Sequence, residues 1–262
     1  MTLVVMTAST DFLSLPAPKA DMRVAYGTDE NQFVDLRLPR QHGTYPLAIV
    51  IHGGFWRAKY DLEYAGHLCA ALSANRIATA NLEYRRVGNP GGGWPGTFAD
   101  VRAAYQFLMQ NARRYSIDAD RVAVIGHSAG GQLALCLAAF ESAIKSVISV
   151  AGVVDLQQAY DLHLSNDAVV EFLGGTPVEA KDHYREADPM RLSIKARQCL
   201  VHGLADETVP LEFSRDYVRL KRKEKKEGVQ FIEIANAGHF EVVDPRSAAW
   251  GNVEHALLHA VG

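Results

Sequence analysis

Apolar residues recur along this chain in two alternating rhythms. Short, mainly apolar runs stand at residues 47–51, 77–82, 122–125, 147–150, 199–201 and 231–234, the length and texture of strands buried on both faces. Between them, residues 64–74, 98–114, 130–140, 211–227 and 247–259 carry apolar positions at three-to-four spacing, the period of helices with one buried face. An earlier stretch, 34–38, alternates apolar and charged residues before Pro39 and reads as a half-exposed antiparallel strand near a sheet edge. Strands and helices in alternation pack as right-handed crossovers. The expected fold class is therefore α/β, a doubly wound, mostly parallel sheet in a single domain over residues 1–262. Catalytic groups in such a sheet lie in loops that leave the carboxyl ends of its strands.

Two segments break the rhythm. Residues 87–96 surround Trp94 with Gly88, Pro90, Gly91, Gly92, Gly93, Pro95 and Gly96, a loop composition. Residues 155–190 form a long excursion between two strands, with one helix expected at 167–173 and a stop at Gly174 and Gly175. An insertion of that length at a carboxyl end reads as a small cap over the sheet.

Composition narrows the function more than the fold. Apolar residues at 48% can fill one large core, while a net charge of -3 creates no field that would gather nucleic acid or anionic membrane. The one dense basic stretch, 221–226, is interrupted by Glu224 and followed by Gly228, as in a solvated helix end. Cys69, Cys136 and Cys199 lie far apart in apolar runs, without metal-ligand or C-x-x-C spacing, and read as buried free thiols of a reducing compartment. The first six residues lack a basic leader and no apolar run reaches membrane-spanning length, so a cytoplasmic location is expected.

The chemistry is carried by three short motifs in chain order. Gly126-His127-Ser128-Ala129-Gly130 matches the G-x-S-x-G nucleophile elbow, flanked by a strand pattern before it and a helix pattern after it. His52-Gly53-Gly54-Phe55-Trp56 follows an earlier strand, where backbone N–H groups of Gly54 and Phe55, with that of Ala129, are expected to bind an oxyanion. His52 and Gly53 would shape that loop. A serine hydroxyl needs a base and a group that orients the base. His239 follows the last strand pattern, and Asp206 follows the strand pattern at 199–201, in the order this fold uses. Glu207 and Asp155 are rival acids. His127 is expected to point away from the site, and His202 to support the acid loop. His255 and His259 have a metal-ligand spacing without a third ligand, so no metal and no cofactor are expected.

With these residues in place, the chain resembles the esterase/kynurenine formamidase (arylformamidase) branch of the α/β-hydrolases from about Val24 onward. The loop at His52 is similar to that branch's H-G-G-x-W signature. The segment Glu83-Tyr84-Arg85 and the turn Gly238-His239-Phe240 also look familial. Phe55 stands where hormone-sensitive-lipase-like esterases have a third glycine, and the histidine-rich signature of zinc formamidases is missing. The resemblance implies a serine hydrolase with Ser128, Asp206 and His239 as its triad. Its expected substrate is a small acyl ester or aryl formamide, N-formylkynurenine being the sharpest candidate. A carboxylesterase acting on short-chain or feruloyl-type esters is the first alternative, and a non-catalytic ligand-binding protein of the same fold the second. Trp56, Trp94 and Phe172 are expected in the substrate pocket. The partner is then a small-molecule ester or amide, with a homodimer admitted and nucleic acid and membrane excluded.

Overall fold

The computed structural model describes residues 11–40, 43–224 and 228–261. One eight-stranded sheet runs through it, built from β1 (Met22–Ala25), β2 (Phe33–Arg37), β3 (Tyr45–Ile51), β4 (Ala78–Leu82), β5 (Ile117–His127), β6 (Ser146–Val150), β7 (Arg197–Gly203) and β8 (Val229–Ile234). Their spatial order is β1-β2-β4-β3-β5-β6-β7-β8. The pairs β1/β2 and β2/β4 are antiparallel and every other pair is parallel. The expected mostly parallel, doubly wound α/β sheet is what the chain forms.

The long helices are α1 (Ala65–Ala74), α2 (Gly96–Gln110), α3 (Ala129–Phe140), α7 (Glu212–Lys223) and α8 (Trp250–Val261). Because strand side chains alternate between faces, β3 feeds two separate cores. Leu47, Ile49 and Ile51 join one core with Val101, Leu108 and Leu133 of α2 and α3. Ala48 and Val50 join the other, with Leu68 and Leu72 of α1 and Val253 and Leu257 of α8. Double coverage is why these strands are continuously apolar. From β3 the chain steps to β4 on one side and β5 on the other, so β3 and β5 flank the switch point where a crevice opens. The loop at His52 and the residue Ser128 stand at those two strand ends.

The structure corrects several expectations. β2 is antiparallel and next to the sheet edge as expected, but it is buried and not half-exposed, because β1, four exposed or half-exposed residues without a strong pattern, covers its outer side. The charged positions of β2 are masked: Asp35 pairs with Arg23 at 2.8 Å, and Arg37 donates to the Pro18 carbonyl. The helical pattern at 98–114 divides at Asn111, whose amide Nδ2 donates to Phe107 O at 2.9 Å, and a 3-10 turn follows at Ala112–Tyr115. The excursion holds three short helices where one was expected, α4 (Leu156–Asp161), α5 (Ala168–Leu173) and α6 (Lys181–Ala187). Lys221 is buried, its Nζ donating to Met190 O and Leu192 O at 2.9 and 3.0 Å, so the basic stretch is not a solvated helix face throughout. Residues 225–227 of that stretch lie outside the described residues. Among the described residues no helix is long and apolar enough to cross a membrane.

Candidate active site

Ser128 sits between β5 and α3 with φ 57° and ψ −122°, a conformation that costs an ordinary residue of order 1–3 kcal/mol. Close packing enforces it. A Cβ on Gly130 would fall 2.1 Å from the Ile51 carbonyl oxygen, so only glycine lets α3 start so near β3. The left-handed geometry turns Ser128 out of the sheet and leaves the Ala129 N–H at the first turn of α3, where the helix dipole favours negative charge. Ser128 N itself donates to Val150 O at 2.9 Å.

Opposite the elbow, the loop after β3 holds three consecutive residues at positive φ: Gly54 (107°), Phe55 (49°) and Trp56 (58°). Gly54 tolerates no side chain, since a Cβ would lie 2.4 Å from Tyr60 Cβ. Among the described residues, the N–H groups of Gly54, Phe55 and Ala129 donate to no protein acceptor, whereas Gly53 N donates to Tyr64 Oη at 2.7 Å. The loop is fastened from behind by a buried carboxylate. Glu83 contacts His52 Nε2 at 3.0 Å and accepts from Tyr84 N at 3.0 Å and Leu62 N at 3.2 Å. Arg86 lies 3.4 Å from Glu83 and donates to the Tyr60 carbonyl. Burial works to raise the Glu83 carboxyl, but His52 and Arg86 outweigh it and leave the group below its ordinary value. Glu83 and Arg86 thus tie the loop at His52 to the segment 60–62, while Arg85 pairs with Asp100 at 2.7 Å.

His239 and Asp206 meet across 33 positions of sequence, with Nδ1 2.8 Å from Asp206 Oδ2. His202 lies 3.2 Å from the same oxygen, and Thr208 N and Val209 N donate to Oδ1 at 2.8 Å each. Burial would raise the Asp206 carboxyl, but the hydrogen bonds from His202 and His239 hold it well below the ordinary range. It is an ionised acceptor whose lone pairs are all engaged, and it presents His239 with Nε2 free to face the cavity. Of the rival acids, Glu207 is exposed, and Asp155 caps α4 by accepting from Gln158 N at 2.8 Å. Ser128 and His239 line one cavity of about 440 Å³. No hydrogen bond joins Ser128 Oγ to His239 among the described residues; such contacts commonly tighten only as the reacting complex forms.

The cavity wall differs from the expected one. Phe55, Tyr60, Tyr64, Phe240 and Leu13 supply its apolar and aromatic surface, and Lys59, Asp61, Glu63 and Thr208 its polar positions. None of these except Phe55 stands among the expected site residues. The available signal was the run Lys59-Tyr60-Asp61-Leu62-Glu63-Tyr64 just downstream of the glycine loop. Trp56, Trp94 and Phe172 are absent from the wall. Trp56 and Phe172 stack at 4.5 Å with 6° between planes, Trp94 stacks on Phe98 at 5.0 Å, and Trp56 and Phe172 are each 1% exposed. Trp56 Nε1 donates to Gln132 Oε1 at 3.0 Å, which satisfies its one polar atom inside the core. His127 also departs from expectation: its ring lies 4.6 Å from that of His239 and lines the cavity. His255 and His259 sit 4.4 Å apart, edge to face, and among the described residues no group of three His, Cys, Asp or Glu side chains could hold a metal ion.

This sheet order, with a strained serine at one strand end and an Asp–His pair in the loops beyond, is the α/β-hydrolase fold. Within that class the chain belongs to the BD-FAE family, whose model matches residues 34–220. It is similar to Esterase LipC of Mycobacterium tuberculosis, 28% identical over 258 residues that cover 90% of this chain and 63% of that protein. It is also 26% identical over 219 residues to a probable isoprenylcysteine alpha-carbonyl methylesterase, ICMEL2, of Arabidopsis thaliana, covering 74% of this chain and 51% of that protein. The chain therefore spans about half to two thirds of the length of these relatives. Among solved structures, a truncated carbohydrate esterase from gut microbiota superposes with a TM-score of 0.79 at 20% identity, covering 97% of this chain and 99% of that one. Esterase B from Lactobacillus rhamnosis superposes at 0.78 with 17% identity, covering 95% and 88%. At such identities these structures speak for the fold.

Proposed function

We propose that this protein is a carboxylic ester hydrolase in which Ser128 is the nucleophile, His239 the general base and Asp206 the group that orients it. The observation that carries the reading is the hydrogen bond from His239 Nδ1 to an ionised Asp206, next to a cavity that also holds the strained Ser128. In that arrangement His239 takes the Ser128 proton as Oγ attacks the ester carbonyl. The negative oxygen is held by N–H groups drawn from Gly54, Phe55 and Ala129, which have no acceptor among the described residues. His239 then protonates the leaving alcohol, the acyl-serine forms, and water activated by His239 releases the acid.

The relatives' names, an esterase and a methylesterase, support ester over amide substrates. The aryl-formamide reading, N-formylkynurenine included, has no such support and gives way to the ester. A small acyl group suits a cavity of about 440 Å³ whose wall also has to receive the leaving alcohol. The test is a panel of aryl acetates, longer acyl esters and N-formylkynurenine, run with wild type and Ser128→Ala. Turnover of short esters that vanishes in the variant is expected. Turnover retained in Ser128→Ala removes the nucleophile, and turnover confined to the formamide reverses the substrate order. A wild type that binds esters without hydrolysing any of them makes the chain a ligand-binding protein of this fold.

A further inference from the structure

We propose that Tyr64 and His127 form a positioning relay that sets the oxyanion loop and His239 at a fixed mutual distance. It rests on the reading of Ser128 and His239 as the reacting pair. Three hydrogen bonds in series carry it: Gly53 N to Tyr64 Oη at 2.7 Å, Tyr64 Oη to His127 Nδ1 at 2.8 Å, and His127 Nε2 to His239 O at 2.9 Å. One end is the N–H of the His52–Gly53 peptide, one residue before Gly54, and the other is the backbone carbonyl of the base itself.

The donors can be assigned from the ends inward. A carbonyl oxygen only accepts, so His127 Nε2 carries the hydrogen, and in a neutral ring Nδ1 is then an acceptor. Tyr64 must donate its hydroxyl hydrogen to Nδ1, which leaves its oxygen lone pairs to accept from Gly53 N–H. With His127 neutral, no other direction satisfies all three contacts; a doubly protonated ring would reverse the middle bond, with Nδ1–H donating to Tyr64 Oη. Burial and the neighbouring His239 push His127 down to about 3, and burial raises the Tyr64 phenol. Neither group changes its protons near neutrality, so the relay keeps one setting there.

Two consequences follow for the site. Gly53 N–H is turned away from the reacting carbonyl, which leaves Gly54, Phe55 and Ala129 as the donors. His239 is also held twice, through Nδ1 by Asp206 and through its carbonyl by His127. Phe240 closes the assembly edge-on against Tyr64 at 6.2 Å and beside His127 at 5.7 Å. Tyr64 and His127 touch the machinery without taking the substrate's proton, and are positioning residues.

The discriminating variant is Tyr64→Phe, which keeps the ring and deletes only the hydroxyl. The expected result is a kcat on aryl acetate lower by about ten- to a hundredfold, the loss typical of slightly misplaced groups, with KM nearly unchanged. The low-field proton resonance of His239 Nδ1–H should shift in the same variant. In ¹⁵N-histidine-labelled wild type, His127 should be the neutral Nε2–H tautomer through neutral pH, a measurement that stands even if the variant fails to fold. An unaltered kcat with an unaltered His239 resonance overturns the relay, as does His127 found as the Nδ1–H tautomer or doubly protonated. Ser128→Ala separates the two ideas: if it abolishes turnover while Tyr64→Phe does not reduce kcat, the relay alone is wrong.

Discussion

Two neighbourhoods at the carboxyl end of the sheet are built from the same kinds of residue and end up with opposite surroundings. The segment 54–64 places Phe55, Tyr60 and Tyr64 on the wall of the Ser128 cavity, with Tyr60 43% exposed. The excursion 155–190 buries Phe172 in a stack with Trp56 and sends Phe172 O to accept from Trp94 N at 2.7 Å. Each neighbourhood carries aromatic rings and charged partners. What separates them is whether a ring finds apolar surface on both faces. Phe55 and Trp56 make the point within two residues: successive positive φ angles leave one at the cavity and the other in the core. An aromatic side chain beside a catalytic motif is thus not assigned to the pocket by its nearness in sequence.

The comparison can be broken or sharpened by five measurements. The largest effect belongs to Asp206→Asn, which should lower kcat by roughly 10⁴-fold by allowing the wrong His239 tautomer, while Asp155→Asn leaves kcat nearly unchanged. Steady-state kinetics that reverse this order would move the acid into the excursion. Phe172→Ala should cost about 3–5 kcal/mol of stability, the usual result of emptying a packed aromatic site, read by denaturant unfolding. Its ratio of kcat/KM between bulky and small leaving groups should stay at the wild-type value; a changed ratio would return Phe172 to the pocket.

Tyr60→Ala should do the reverse, shifting that same ratio by about 1–3 kcal/mol with little change in the unfolding midpoint. Asp188 tests the excursion by pH. Burial and the neighbouring Asp155 raise its carboxyl to about 7, against about 3.9 unfolded. Below about pH 4 both states hold the proton and nothing is lost. Between there and 7 the folded state holds it alone, so stability falls as pH rises, by up to about 1.4 kcal/mol per unit. Asp188→Asn should flatten that slope in unfolding curves taken across the window; an equal slope in both proteins would place the titration elsewhere. The smallest effect is Glu171→Gln, which breaks a partly exposed pair with Arg57 at 2.7 Å. It should cost under about 1 kcal/mol, and a larger loss of kcat would show that the excursion steers the oxyanion loop.

Much of the site was legible because its signals are local. The elbow around Ser128 is a tight turn whose glycines are needed within five residues of chain, and the flanking strand and helix patterns are equally local. His239 and Asp206 could be chosen from the order of strand ends. The wall was not legible in the same way. Leu13 comes from a 3-10 turn at Asp11–Ser14 that precedes every strong pattern, Tyr64 reads only as the start of a helical pattern, and Tyr60 carries no pattern of its own until β3 and β5 bring their loop against Ser128. β1 was missed because its four residues are stabilised by pairing with β2 and not by an apolar pattern of their own.

By itself, the sequence determined the α/β class and singled out Ser128, His239 and Asp206 as candidates at strand ends, of which the structure hydrogen-bonds His239 to Asp206 and places Ser128 on the same cavity as His239. Hydrophobic period and turn stereochemistry act over a few residues, and those properties follow from them. Only the tertiary structure decided that the excursion buries Phe172 against Trp56, that Lys221 is buried, and that His127 faces the site. Those outcomes depend on which surfaces meet across the sheet, where a side chain's environment is set by neighbours a hundred positions away, as between His127 and the carbonyl of His239.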